Sequence, residues 1–114
     1  MRRGDIYDAR LDPVEESEQA GFRPVIIVSR DAINANLGIV VVVPCTTLRA
    51  TTRLHPSRVL LHAPDGGLQV DSVALCEQVR SVAKTRLVRQ RGTLSPAALA
   101  RVESALTITL DLSR

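Results

Sequence analysis

Polar and apolar residues alternate through Asp5-Ile6-Tyr7-Asp8-Ala9-Arg10-Leu11, the two-residue period of a half-buried β-strand. Pro24-Val25-Ile26-Ile27-Val28 is a β-branched run opened by proline and reads as a buried strand. Between them, residues 12–22 carry Pro13, three glutamates, Ser17 and Gly21, the composition of a loop. Asp31–Gly38 is polar and ends in glycine, which fits a loop or one short helical turn. Ile39–Val43 is the most apolar strand, and Pro44 is expected to end its ladder because it has no N–H to donate. Leu48–Ser57 reads as a polar, basic loop, Arg58–His62 as a strand, and Pro64-Asp65-Gly66-Gly67 as a turn. Ser72–Val79 and Thr85–Arg89 are further strand candidates.

The last segment has a different period. Ser95 is placed to cap a helix, and Pro96 suits its first position. Leu99, Val102, Leu106 and Leu110 follow at three- and four-residue spacing, one apolar stripe to lay on a sheet. Five to seven short strands and one terminal helix predict a mainly β, mostly antiparallel small barrel or curled sheet. At 114 residues the chain is long enough for one core and is read as one domain, 1–114. The apolar run Ile39–Val43 falls far short of the roughly 20 residues that span a bilayer. Gly4, Asp5 and Asp8 stand where a signal peptide would need apolar residues, so the expectation is a cytoplasmic protein with no membrane association.

Charge adds direction. Fifteen basic residues face 12 acids, and 14 of the 15 are arginine. Arginine's planar fork matches phosphate, although a GC-rich genome produces the same bias with no functional pressure. The bases are unevenly spread: residues 1–18 sum to −3, whereas residues 80–91 hold five bases and no acid. Arg49, Arg53 and Arg58 form a second basic group. A basic face for a polyanion fits this pattern, and so does a solvated charged surface. With Tyr7 and Phe22 the only aromatics, a base-stacking platform is excluded.

Most catalytic signatures are missing: no phosphate-binding glycine loop, no Gly-x-Ser-x-Gly elbow and no His-Glu-x-x-His pair. Cys45 and Cys76 stand 31 positions apart without short-spaced partners, so neither a metal nor another cofactor is expected. Both read as reduced thiols embedded in strands. His55 and His62 are expected at opposite ends of one strand, which does not suit a two-histidine acid–base pair. What remains is Arg23, before one buried strand, and Thr46 and Thr47, after another. If those strands are neighbours, a cation and a hydroxyl meet at one rim of the sheet. Ordinary strand capping accounts for the same residues.

These residues belong to longer stretches: Arg3-Gly4-Asp5-Ile6-Tyr7, Ser17-Glu18-Gln19-Ala20-Gly21-Phe22-Arg23-Pro24-Val25, and Val43-Pro44-Cys45-Thr46-Thr47. Asp71-Ser72-Val73-Ala74-Leu75, Glu77-Gln78-Val79-Arg80-Ser81-Val82 and Leu94-Ser95-Pro96 follow in order. Together they resemble the MazF/PemK family of toxin endoribonucleases over nearly the whole chain. One departure is Glu16, where the family commonly has glycine.

The resemblance implies a CcdB/PemK-like barrel of the Src-homology-3 type and a homodimer. It also implies metal-independent cleavage of single-stranded RNA at a short sequence, and a cognate, MazE-like antitoxin as partner. It puts the catalytic arginine at Arg23, the catalytic threonine at Thr46 rather than Thr47, and an activity-linked acid at Glu18. In such chemistry the RNA 2′-hydroxyl attacks, leaving a 2′,3′-cyclic phosphate and a 5′-hydroxyl. Arg23 would clamp phosphoryl oxygens while Thr46 donates one more hydrogen bond. Glu18 fits two roles, general base or ion-pair partner of Arg23.

Base reading is expected from Ser17 and Gln19, and from Thr47, Arg49, His55, Pro56 and Ser57 beyond the next strand. Gln78 and Arg80 are expected on a strand facing the same groove. Two rivals share these features: a CcdB-like toxin that binds DNA gyrase without chemistry, and a nucleic-acid-binding module that cuts nothing. Dimerisation is expected through paired strands and the Ser72–Val82 region.

Overall fold

Five consecutive β-branched residues open the strand around which the molecule is built, and its middle, Val42 to Cys45, is buried on both faces. The computed structural model describes residues 1–11 and 21–112. Its strands are β1 (Asp5–Arg10), β2 (Phe22–Ile27), β3 (Ile39–Thr47), β4 (Arg58–Leu61), β5 (Ser72–Leu75), β6 (Arg80–Ala83) and β7 (Leu87–Thr93). Two helices, α1 (Asp31–Asn36) and α2 (Pro96–Thr109), complete the regular structure. The sheet runs β4-β5-β3-β2-β1-β7, with β6 on β3, and its pairings are antiparallel. β4 and β7 are its two outer ends, so the sheet stays open rather than closing into a barrel.

Ile26 pairs with Val43 and Ile27 with Val42. The two-residue alternation sends the first pair to one face and the second to the other. Ile26 and Val43 join Ile6, Cys45, Leu61, Val102 and others in the larger core beneath α2. Val42 and Ile27 join Ala9, Val25, Val40 and Val82 in a second, smaller core.

β3 does not stop at Pro44. Val28 and Ser29 both donate to the Val41 carbonyl, so the odd residues of β3 face β2 and Pro44 faces the other way. On that side β6 pairs with residues up to Val42 and β5 with residues from Cys45 on. The missing N–H therefore falls where no strand would have received it. The same proline explains why the expected strand Ser72–Val79 is broken. Between the pairs Cys45–Ala74 and Val42–Arg80, two residues of β3 face five of the opposing chain. Those five include a 3-10 turn over Cys76–Gln78. Cys76 therefore lies in a turn rather than in a strand. The strand expected at Thr85–Arg89 is likewise displaced, because Lys84–Arg86 form a 3-10 turn and β7 begins at Leu87.

α2 begins as its capping residues dictate. Ser95 Oγ accepts from the Ala98 N–H at 3.2 Å and donates to Asp65 Oδ2 at 2.7 Å. Its buried stripe is Ala98, Val102 and Ala105, so of the four residues that the spacing suggested only Val102 is fully covered. The two alanines let the helix lie close over β4 and the Cys76 turn. Leu99 and Leu106 sit at the margins of the contact, and Leu110 is half exposed.

Candidate active site

Arg23 lies inside β2, not before it. The register of β2 on β3 ends at Val25 and Pro44, and Arg23 and Thr46 each stand two residues beyond it. Both line a groove of about 420 Å³, together with Thr47 and Arg49 from the end of β3 and the residues after it. Leu68, Gln69 and Val70 form another wall, and Arg91 reaches in from β7. Three guanidinium groups thus share the groove, and no carboxylate is among its described lining residues. Such a surface has the sign and the donors to hold phosphate oxygens.

The floor is Cys45, which has no exposed surface. Burial pushes its thiol up to about 12, and nearby Cys76 pushes the same way against the pull of Arg23 and Arg91. It stays protonated at neutral pH and is no nucleophile. Cys76 is raised to about 11, first by burial and then by the neighbouring Glu77 carboxylate.

Arg91 was not foreseen. The sequence marked it only as one of five bases in a run. Its Nε donates to Asp8 Oδ1 at 2.5 Å, while Arg89 Nη2 donates to Asp8 Oδ2 at 3.1 Å. The carboxylate is 12% exposed and braces both cations. Gln69 and Val70 were not foreseen either, since nothing in their types marks a site.

Several expected binding residues lie elsewhere. Ser57 Oγ is 2.8 Å from His55 Nδ1 and donates to Glu77 Oε1 at 3.0 Å. Arg58 donates to Glu77 Oε2 through Nε at 3.0 Å and Nη2 at 2.7 Å. Burial alone would raise the Glu77 carboxyl, but hydrogen bonds from Arg58, its own backbone N–H and Ser57 hold it below the ordinary range. None of His55, Pro56 and Ser57 lines the Arg23 groove; Pro56 and Arg58 border a second cavity, of about 410 Å³, between β4 and α2. Gln78 is exposed on the 3-10 turn rather than on a strand, and Arg80 is exposed at the start of β6. Neither lines the groove, because the interruption opposite Pro44 re-aims that stretch. Ser17, Glu18 and Gln19 lie outside the described residues. His55 and His62 flank β4, as expected. Among the described residues no three His, Cys, Asp or Glu side chains cluster as a metal site would require.

Comparison with known proteins points one way. Residues 2–110 match the model of the PemK-like, MazF-like toxin of type II toxin–antitoxin systems. The chain is 44% identical to the endoribonuclease MazF9 of Mycobacterium tuberculosis, covering 98% of each. It is 39% identical to the endoribonuclease MazF of Staphylococcus saprophyticus, covering 98% of this chain and 92% of that one. A mycobacterial endoribonuclease solved in complex with its cognate antitoxin superposes with a TM-score of 0.83 at 27% identity, covering 100% and 98%.

Proposed function

The chain belongs to the PemK-like, MazF-like toxin family of type II toxin–antitoxin systems, and on that premise we propose that it is an endoribonuclease that cuts single-stranded RNA at a short sequence without a metal ion. The observation that supports this reading is that Arg23 and Thr46, each two residues past the last β2–β3 pair, line one groove with Arg49 and Arg91. The 2′-oxygen attacks the adjacent phosphorus, the bond from phosphorus to the 5′-oxygen breaks, and the products are a 2′,3′-cyclic phosphate and a 5′-hydroxyl. The attacking hydroxyl's proton goes to Glu18, and the departing 5′-oxygen takes one from Arg23. As a guanidinium that stays charged, Arg23 is a poor base, but it suits charge stabilisation at the phosphorane. Thr46 Oγ1 donates a further hydrogen bond to a phosphoryl oxygen. Thr47 and Arg49 contact the flanking nucleotides, with Ser17 and Gln19 completing the base reading.

A cognate antitoxin neutralises the enzyme by laying an extended acidic segment over the groove, in competition with RNA. The chain acts as a single domain, as a homodimer, in the cytoplasm. Among the described residues no helix is long and apolar enough to cross a membrane.

The test is end-mapping of a long RNA in excess chelator, with a matched oligonucleotide carrying a 2′-deoxy residue just 5′ of the cut. Cleavage of the RNA with cyclic-phosphate ends, and none of the deoxy oligonucleotide, is expected. Cutting of the deoxy substrate would establish a water nucleophile and overturn the mechanism. Intact RNA after long incubation would favour a toxin that acts by binding, as on gyrase.

A further inference from the structure

Arg91 and Asp8 form a unit that the reaction above does not use. Arg91 lies on β7, Arg23 on β2 and Thr46 on β3, yet all three side chains border one groove. Arg91 turns its Nε toward Asp8, and its two Nη groups make no hydrogen bond to another described residue. They remain as a fork of parallel N–H donors of the kind that matches two oxygens of a phosphate. Arg91 and Arg23 line the groove with the buried Cys45, and both act on its thiol.

The backbone beneath Arg91 is fixed with equal care. A Cβ on Gly67 would come within 2.2 Å of the Arg91 carbonyl oxygen. A Cβ on Gly92 would stand 2.9 Å from Gly66. The Gly66–Gly67 turn therefore presses directly on the Arg91–Gly92 backbone. From that turn the chain runs straight into Leu68, Gln69 and Val70, the groove's other wall. Asp8 restrains the side chain, and the glycine contact restrains the main chain.

We propose that Arg91, braced by Asp8, is a second phosphate-binding residue of the groove, gripping a backbone phosphate next to the one that is cut. The assignment rests on the reading of the groove as an RNA site. Arg91 acts in binding rather than in bond cleavage, and Asp8 is a positioning residue that acts through it. Arg91→Gln keeps a donor within reach of Asp8 while removing the charge. Arg91→Ala leaves Asp8 paired with Arg89.

The experiment measures anisotropy of a cleavage-site 2′-deoxy oligonucleotide, otherwise RNA, on the full chain across a range of KCl concentrations. Both variants are expected to bind about tenfold more weakly, one charge-assisted hydrogen-bonded contact being lost. The slope of log affinity against log salt should become shallower by about 0.7, the signature of one single-strand phosphate contact. With cleavable RNA, KM should rise by about the same factor while kcat falls far less. Asp8→Asn should weaken binding in the wild-type background and add nothing in Arg91→Gln, as a shared role requires. Unaltered affinity and slope in an Arg91→Gln protein that melts normally would overturn the assignment, while the wild type's own cleavage would leave the groove's function standing. A wild type that neither binds nor cuts RNA would overturn both.

Discussion

Two places in the molecule pair a hydroxyl with arginine at the end of a strand, and they are chemically opposite. At the start of β4, Ser57, His55, Arg58 and Glu77 bond to one another, and Arg58 gives two of its donors to a single carboxylate. At the β2–β3 rim, Thr46 and Thr47 share a groove with Arg23, Arg49 and Arg91, and no carboxylate stands among the described lining residues. The first cluster is neutralised within itself. The second gathers three guanidinium groups among its described lining residues and has space enough to take a polyanion. Residue types alone would rank the Ser-His-Glu group as the more catalytic. Its surroundings reverse that ranking, because function is decided by the whole site and not by residue types.

The largest expected contrast is in turnover. Arg23→Ala or Thr46→Ala should each lower the initial cleavage rate by about 10²-fold or more, the usual loss when one transition-state donor is removed. Circular dichroism should show both variants folded. Glu77→Gln should leave the rate within about twofold; a large loss there would move the chemistry to the β4 cluster.

Next comes the wall of the groove. Gly67→Ala forces a side chain into a positive φ of 79° and against the Arg91 carbonyl. Destabilisation of about 2 kcal/mol or more is expected from the strain and the clash together, read as a lower denaturant midpoint. Nucleic-acid affinity should drop as Arg91 shifts. An unchanged midpoint would show that the turn yields.

The smallest effect is electrostatic. The folded pKa of Glu77 is depressed, so its contribution to stability is present above the ordinary glutamate value of about 4.3 and disappears as pH falls through the lower, folded value. The pair is partly exposed, which keeps the contribution below about 1 kcal/mol. Thermal melts of wild type and Glu77→Gln should therefore differ slightly at neutral pH and converge as the pH falls below the ordinary glutamate range. A gap that widens in acid would contradict the pairing.

Periodicity in the chain was enough to find β1, β2, the apolar part of β3 and the start of α2, because each is decided by neighbours close in sequence. It also marked Arg23, Thr46 and Thr47, since they flank strong apolar runs, whereas the choice of Thr46 over Thr47 rested on the family resemblance alone. What it missed depends on partners far along the chain. Gln78 could not be recognised as a turn residue without knowing that its stretch lies opposite Pro44. Arg91 meets Asp8 across 83 residues, a pairing that no local pattern encodes. The alanine stripe of α2 was hidden for a related reason: leucine spacing finds an amphipathic helix, but the separation from the sheet decides which face is small enough to go down.

The two thiols offer a use of their own. Cys45 seals the bottom of the groove and Cys76 sits under α2, its Sγ 4.0 Å from the Val102 carbonyl, and both are buried and protonated. An alkylating reagent reaches either one only when the structure around it comes apart. The native chain thus carries two clocks, one timing the lifting of the terminal helix and the other the parting of the strands beneath the groove, with no foreign label introduced.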